Sequence, residues 1–194
     1  MHERGKEMTF PQKVCINLGS GVDYKHATNV KWINVDYAEC KCDLKHDLTV
    51  FPYPIESDCA DVIEMNALLE HIPVKLQESV INECWRILKV GGTLIIRVPH
   101  FTSALAWSEL EHFKPYGAHT FDGFVKGKNP HSMSDYYPRK QFSSIKVRIV
   151  FGKHIQFWNY LVEWLVNLSG LTQDIYEQSF LRIPSEGVHA WLKK

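Results

Sequence analysis

Two glycines and an aspartate near the start of the chain have the types and spacing of a nucleotide-binding turn. Gly19 and Gly21 flank a serine, and Asp36 follows 17 residues after Gly19. Because glycine has no Cβ, a backbone turn built on it bends sharply and lies close to a ligand. An acidic side chain about this far along accepts hydrogen bonds from ribose hydroxyls in many nucleotide-binding α/β folds. The three residues together therefore predict an adenosine-type ligand.

The elements that must position these residues are two short apolar runs, one on each side of the turn. Residues 14–16 precede the glycines, and residues 32–36 end at the aspartate. Apolar runs bounded by glycine favour buried parallel strands over helices. We therefore expect a strand, a tight turn and a second strand with Asp36 at its tip.

Further strands alternate with a helix up to residue 98. We predict strands at 60–65 and 93–98, and a helix at 73–89 from apolar residues that recur at helical spacing. Gly91 is expected to end that helix. Strand alternating with helix predicts an α/β fold with a Rossmann-like, mostly parallel sheet and helices on its faces.

The carboxyl-terminal half has a less regular pattern. Residues 99–141 are rich in histidine and aromatic residues without clear periodicity, which is typical of a lid or an acceptor-binding segment. Strands are predicted at 144–151 and 188–192, the last one antiparallel. Residues 1–12 form a polar lead-in arm. The sequence contains no recognisable domain linker or internal repeat, so we expect a single domain over 1–194.

Residues 155–168 predict an apolar helix with a thin polar stripe, which consists of Asn159, Glu163 and Asn167. The segment lacks the Lys/Arg face of a helix that lies on a membrane surface. We therefore expect it to be a core helix or the interface of a homodimer.

Composition excludes several classes of function. The formal net charge is zero, so the chain has no overall basic footprint for nucleic acid. No apolar run reaches membrane-spanning length or forms a signal core. The five cysteines have no disulfide-scaffold spacing, which predicts a reducing cytoplasm. Cys40 and Cys42, with His46 nearby, lack the usual Cys-x-x-Cys spacing, so we predict no metal site.

Four segments together resemble a known family. They are INLGSG at 16–21, WINVD at 32–36, HDL at 46–48, and the block ADVIEMNALLEHIP to INECWRILKVGGTLIIRVP over 60–99. The order resembles the class I S-adenosylmethionine-dependent methyltransferases, close to the small type 11 group. The resemblance covers about residues 13–100. It implies that fold, S-adenosylmethionine as cofactor, and methyl transfer as the reaction.

The resemblance also implies a set of cofactor-binding residues: Asn17, Gly19, Gly21, Asp36, Asp47, Leu48, Asn66 and His71. In this set Asp36 accepts hydrogen bonds from both ribose hydroxyls. Asp47 takes the adenine amino group, and the Leu48 amide takes a ring nitrogen. Asn66 lies beside the methionyl group, where His71 helps to orient the site. The chain departs from the family pattern at Asn17, usually acidic, and at Asp23, usually glycine.

Three histidines are candidates for catalysis: His112, His100 and His119. All three follow the strand predicted at 93–98 or fall in the lid at 99–141. A histidine there could accept the proton of a hydroxyl acceptor near neutral pH. His112 is favoured because the segment after it resembles a His-x-x-Pro-aromatic lid element. A zinc site built from these histidines has no recognisable spacing. The lid also contains five aromatic residues, which either line an acceptor pocket or pack the lid onto the sheet. They are Trp107, Phe113, Tyr116, Phe121 and Phe124.

Two other classes of function remain open on these residues. A nicotinamide-dependent oxidoreductase also uses glycines and a ribose acid, but Tyr24 stands where its third glycine is needed. The second class is a catalytically inactive module that binds S-adenosylmethionine. No motif marks the acceptor, although neutral charge favours a small molecule or a glycan precursor.

Overall fold

Seven strands form one sheet in the computed structural model, which describes residues 12–125, 127–128, 140–153, 156–179 and 183–194. The strands are β1 (Lys13–Leu18), β2 (Val30–Asp36), β3 (Leu44–Lys45), β4 (Ala60–Asn66), β5 (Leu88–Pro99), β6 (Ser144–Val150) and β7 (Gly187–Lys193). Their spatial order is β3-β2-β1-β4-β5-β7-β6. The strands predicted on both sides of the glycine turn and at 60–65, 93–98, 144–151 and 188–192 are confirmed, and the two-residue β3 adds one more.

The first five strands run parallel, and β7 lies antiparallel between β5 and β6. This confirms the predicted Rossmann-like sheet with its antiparallel last strand. Leu18 at the end of β1 pairs with Val35 on one side and Met65 on the other. The carboxyl ends of β1, β2 and β4 therefore meet at one edge, where α/β sheets bind ligands.

The helices are α1 (Val74–Ile87), α2 (Leu105–Ser108), α3 (Asn159–Val166) and α4 (Gly170–Gln178), with 3-10 turns at Leu69–His71 and Asp122–Phe124. The buried residues of α1 include Val80, Ile81 and Cys84, which join the core formed by β1, β4 and β5. On the same helix, the Gln77 amide donates to the carbonyls of Leu69 and Ile72, both at 2.9 Å. These bonds attach the first 3-10 turn to α1.

The expectation that Gly91 ends the long helix is wrong. Helix α1 stops at Ile87, and Leu88 is already extended, with φ −66° and ψ 138°. Gly91 lies inside β5 with φ +79°, next to the place where the pairing with β4 shifts register between Ala60 and Val62. Its left-handed backbone serves this irregularity in the strand rather than a helix cap.

The expected helix at 155–168 is shorter, and a second helix follows it. Helix α3 spans Asn159–Val166, and residue 155 lies outside the described residues, as does most of the predicted arm. Ser169 then caps α4: its hydroxyl accepts from the Thr172 amide, and the Thr172 hydroxyl accepts from the Ser169 amide. This reciprocal pair of hydrogen bonds is a capping box, which is typical of the first turn of a helix.

Among the described residues, no helix is both long and apolar enough to cross a membrane.

Candidate active site

A cavity of about 650 Å3 opens at the carboxyl edge of the sheet. It is lined by residues that follow β1, β2, β3 and β4 and by the segment after α2: Gly19, Asp36, Tyr37, Asp47, Leu48, Thr49, Ala67, Leu68, His71, Ile72, Leu110, Glu111 and Phe113. This volume lies in the range of small-molecule and cofactor sites. Five of the predicted cofactor-binding residues thus meet at one cavity.

The Asp36 carboxylate is buried in the wall of this cavity and is held by two backbone amides. Its Oδ2 accepts from the Gly21 amide at 2.7 Å, and its Oδ1 accepts from the Ala38 amide at 2.8 Å. A carboxylate has about four acceptor positions, so two amide bonds leave capacity for the two hydroxyls of a ribose. The amides also fix the direction in which the carboxylate points.

Gly19 occupies a position that a larger residue would disturb. Its φ is +66°, and a Cβ built there would lie 2.7 Å from Cδ1 of Leu68, which also lines the cavity. The Gly19 amide donates to the carbonyl of Val35, which ties the turn to the end of β2. The missing side chain keeps this part of the wall open.

Asp47 and Leu48 line the opposite part of the cavity. Oδ1 of Asp47 accepts from the amide of Thr49 at 2.8 Å and from its hydroxyl at 2.7 Å. These hydrogen bonds lower the pKa of Asp47, so it is a carboxylate at neutral pH. An ionised aspartate is an acceptor, as an exocyclic adenine amino group requires.

Three other predicted cofactor residues lie beside the cavity rather than on its lining. The Asn17 amide is buried and donates to the Asp23 carbonyl at 2.7 Å and to Oδ1 of Asn34 at 3.2 Å. Gly21 contributes through its amide bond to Asp36. Asn66 lines a separate cavity described next. The Asn17–Asp23 pairing joins the two positions that depart from the family pattern.

A second cavity, of about 330 Å3, adjoins the first, and Ala67 lines both. Its wall combines charged and polar residues with apolar ones: Asn66, Ala67, Glu70, Arg97, Val98, Pro99, Leu105, Val150, Glu186, Gly187 and His189. Ala67 has a left-handed backbone with φ +48°, and its amide donates to the carbonyl of Arg97. Nothing in the residue pattern identified this second space.

Glu70, His71 and His112 form a cluster between the two cavities. One potential ligand atom from each lies within 4.8 Å of the others, and the His71 and His112 rings meet edge to face at 4.7 Å. Burial raises the pKa of Glu70 to about 7. Burial, followed by the nearby His112, lowers the pKa of His71. Sequence reasoning missed Glu70, whose only signal is a charged residue inside the apolar run ALLEHIP.

The other two catalytic candidates lie away from both cavities. The fully buried His100 contacts Glu177 through Nε2 at 3.0 Å and the Thr102 hydroxyl through Nδ1 at 2.9 Å. His119 lies between Asp122, at 2.7 Å, and Asp174, at 2.6 Å. Each histidine therefore connects the segment after β5 to α4, and each also has a second partner within that segment. Of the three, His112 alone is grouped with cavity-lining residues, Glu70 and His71, although His112 itself is on the lining of neither cavity.

Most lid aromatics pack rather than line the cavity. Tyr116, Phe121 and Phe124 are buried in the core, and Trp107 is exposed with its indole donating to the Phe101 carbonyl. Phe113 is the exception, since it lines the larger cavity. His131, less favoured from the sequence, lies outside the described residues.

Fold and cavity together define a class I-type α/β architecture with a ligand cavity at the sheet's carboxyl edge. A methyltransferase from Archaeoglobus fulgidus shares this fold at 14% identity and TM-score 0.63, over 94% of this chain and 86% of that one. A Haloferax volcanii methyltransferase complexed with the Trm112 activator matches at 12% identity and TM-score 0.54, over 97% and 85%.

Haemonchus contortus phosphoethanolamine N-methyltransferase 2, in complex with S-adenosyl-L-methionine, matches at 13% identity and TM-score 0.53. The match covers 94% of this chain and 48% of that one. At these identities the likeness shows a shared fold. A search of curated proteins returned no match to this chain.

A family model also matches part of the sequence. Residues 21–96, about two fifths of the chain, match the family model described as "Methyltransferase domain". This partial match and the shared fold make the chain similar to the class I S-adenosylmethionine-dependent methyltransferases, close to the type 11 group.

Proposed function

We propose that the chain binds S-adenosylmethionine in the larger cavity and transfers its methyl group to a small molecule in the adjoining one. The observation that carries this proposal is the convergence of Gly19, Asp36, Asp47 and His71 on one cavity of cofactor size at the carboxyl edge of the sheet. The buried carboxylate of Asp36, oriented by two amides, fits a ribose.

S-adenosylmethionine supplies a methyl group that its sulfonium already activates, so the protein has mainly to position the reactants. Alignment alone provides much of the rate of such a transfer. In this proposal Asp36 accepts from the ribose hydroxyls and Asp47 accepts from the adenine amino group. Phe113 and Leu110 contribute apolar surface to the lining of that cavity. The predicted roles of Asn17 and Asn66 remain predictions.

The acceptor space supports a small-molecule substrate, including a glycan precursor. Its volume of about 330 Å3 is too small for a folded domain and suits a metabolite. The wall carries charges of both signs: Arg97, which pairs with Glu64 at 3.1 Å, faces the same space as Glu70 and Glu186. These side chains offer hydrogen-bonding and charged partners to a polar acceptor.

Of the three candidate histidines, we assign the catalytic role to His112. Its imidazole lies beside His71, which lines the larger cavity, and Glu70, which lines the smaller one. His100 and His119 instead hold the segment after β5 in place through their carboxylate partners. We expect His112→Gln to lower turnover and to leave S-adenosylhomocysteine affinity within about twofold, measured by calorimetry. An equal loss of both would make the role of His112 structural.

A thermal-shift screen tests the proposed function against its alternatives. S-adenosylhomocysteine at about 100 times its Kd should stabilise the fold by about 2.7 kcal/mol, because only the folded chain binds it. NAD should have no effect. Stabilisation by NAD alone would indicate a nicotinamide-dependent oxidoreductase, and indifference to both ligands would contradict the proposal. Binding without any methyl transfer to metabolite pools would indicate an inactive module.

We also propose a homodimer formed through α3. The polar stripe predicted for this segment turns inward: Glu163 is buried and pairs with Arg148 at 2.6 Å and Lys153 at 2.9 Å. The opposite face exposes a run of apolar side chains: Trp158, Tyr160, Leu161, Trp164, Leu165 and Leu168. An uncharged face of this kind is typical of an interaction surface. Residence in the cytoplasm stays a prediction.

A further inference from the structure

We propose that Glu70, His71 and His112 bind a divalent transition-metal ion of the zinc class. One carboxylate and two imidazoles are a donor set that zinc and similar ions take in catalytic sites, with open positions left for another ligand. Within the described residues, these three form a group whose potential ligand atoms all lie within 4.8 Å of one another.

The distances require only a small adjustment to close around an ion. Zinc lies about 2.0–2.2 Å from its oxygen and nitrogen ligands, so ligand atoms in a tetrahedral site are about 3.3 Å apart. The present limit of 4.8 Å is longer by about 1.5 Å. His71 is the exposed member, and its ring can rotate to make up the difference.

Unpartnered polar atoms are the second observation that points to a ligand. Glu70 is 1% exposed, yet neither of its carboxylate oxygens has a hydrogen-bond partner in another described residue. The same holds for Nδ1 of His112, whose side chain is 5% exposed. Buried polar groups of this kind are rarely left unsatisfied in a native fold. An ion that all three groups coordinate would satisfy them together.

Neighbouring contacts hold the three groups in place. The Phe113 amide donates to the Glu70 carbonyl at 2.8 Å, so the segment with His112 is fixed against the 3-10 turn. Nε2 of His112 lies 3.4 Å from Glu109 Oε2. A carboxylate behind a ligating histidine is the usual support that orients the ring. Nδ1, the atom without a partner, is then free to face the ion.

The position of the cluster indicates what the ion does, and this part rests on the proposed function. His71 lines the cofactor cavity and Glu70 lines the acceptor cavity. An ion held by these residues would make a coordinated hydroxyl acceptor more acidic, so that its proton passes to water and His112 acts as a ligand rather than as the base. The acceptor oxygen then forms a bond to the methyl carbon while the carbon–sulfur bond breaks, and that electron pair stays on sulfur.

Metal binding is tested directly on tag-free full-length protein. After dialysis against a chelator, the protein is titrated with Zn2+, and with Co2+ as a spectroscopic probe, followed by metal analysis. We expect one ion per chain and visible Co2+ absorption typical of nitrogen and oxygen ligands. Glu70→Gln and His112→Gln should each weaken binding more than about 100-fold, since even supporting residues cost 10–100-fold. His26→Gln, at an exposed histidine elsewhere, is the matched control and should bind as the wild type does.

The possible outcomes separate this inference from the proposed function. No bound ion, or equal binding by all four proteins, would overturn the metal site. If a Glu70 or His112 variant fails to fold, as judged by circular dichroism, His71→Gln at the exposed position replaces it. S-adenosylhomocysteine titrated into the metal-free protein reports on the cofactor cavity alone. Binding there without any metal binding keeps the proposed function and removes the ion.

Discussion

Asp36 is a buried charge whose cost is offset by two backbone amides, at 2.7 and 2.8 Å. The fold has thus fixed the direction of this carboxylate in advance, which is what the proposed contact with a ribose requires. Gly19 contributes differently, through the side chain that it lacks beside Leu68. At the scale of single residues, the cavity thus depends on one oriented carboxylate and one open position.

Asp36→Ala should weaken S-adenosylhomocysteine binding by about tenfold or more. Hydrogen bonds to charged groups contribute roughly 1.5–3 kcal/mol, and the substitution removes those to the ribose. Isothermal titration calorimetry measures the change. Glu39→Gln, at an exposed acidic residue just beyond β2, is the matched control and should leave the affinity unchanged. An unaltered affinity in Asp36→Ala would remove this residue from the site.

Gly19→Ala should cost more stability than Gly91→Ala. Both glycines have positive φ, so both substitutions carry the left-handed strain of about 1–2 kcal/mol. Only at Gly19 does the new Cβ also meet Leu68, at 2.7 Å, which should add about 1 kcal/mol or more. Urea unfolding of the two variants measures the difference. Equal losses would show that Leu68 moves aside at no cost.

At the scale of elements, α4 holds the segment that follows β5. Both nitrogens of His119 face carboxylates, Asp122 and Asp174, which accept hydrogen bonds, so the ring must be protonated to donate twice. These contacts, Asp122 first, raise the pKa of His119. His100 and the Ala118 amide likewise donate to Glu177 on α4; although burial alone would raise the pKa of Glu177, these bonds lower it.

This histidine predicts a pH-dependent stability. Protonation is favoured in the folded state, so the contribution of His119 is complete below its ordinary pKa of about 6.5. It is lost as the pH rises through the higher pKa of the folded state. The difference in unfolding free energy between wild type and His119→Gln should therefore shrink from pH 5.5 towards pH 8.5. The ammonium of Lys128 also lies 3.1 Å from the Asp122 carboxylate.

Urea titrations of both proteins at several pH values provide the measurement. Asp174→Asn, which keeps the shape of the side chain and removes its charge, should flatten the same dependence. A constant difference between wild type and His119→Gln across the range would contradict this role of the histidine.

The sequence predicted most of the first hundred residues because their signals are local. Apolar runs, glycines and the acidic strand end each depend on neighbours in the chain, and the structure places Gly19, Asp36, Asp47, Leu48 and His71 around one cavity. Glu70 could not be identified in this way, since its role depends on His112, which is 42 residues away in the chain.

The carboxyl-terminal elements show the same limit. The polar stripe of α3 was visible, but which side of the helix faces the core depends on Arg148 and Lys153, which pair with Glu163 from β6 and its end. Helix α4 was missed because its start depends on the reciprocal bonds of Ser169 and Thr172 rather than on an apolar period.

At the scale of the whole molecule, the exposed face of α3 predicts self-association. Trp164→Lys should shift the chain from dimer to monomer in sedimentation velocity at micromolar concentration, because it places a charge in the apolar contact. Val90→Lys, at an exposed apolar residue in β5, is the matched control and should stay dimeric. A monomeric wild type would contradict the dimer. Binding of lipid vesicles by that monomer would assign the face to a membrane surface.

A crystal of the protein soaked with S-adenosylhomocysteine tests the cofactor site most directly. We predict electron density for the ligand in the cavity of about 650 Å3, with both ribose hydroxyls within hydrogen-bonding distance of Asp36 and the adenine beside Asp47 and Leu48. Density elsewhere on the chain, or a cavity that stays empty at saturating ligand, would contradict the assignment.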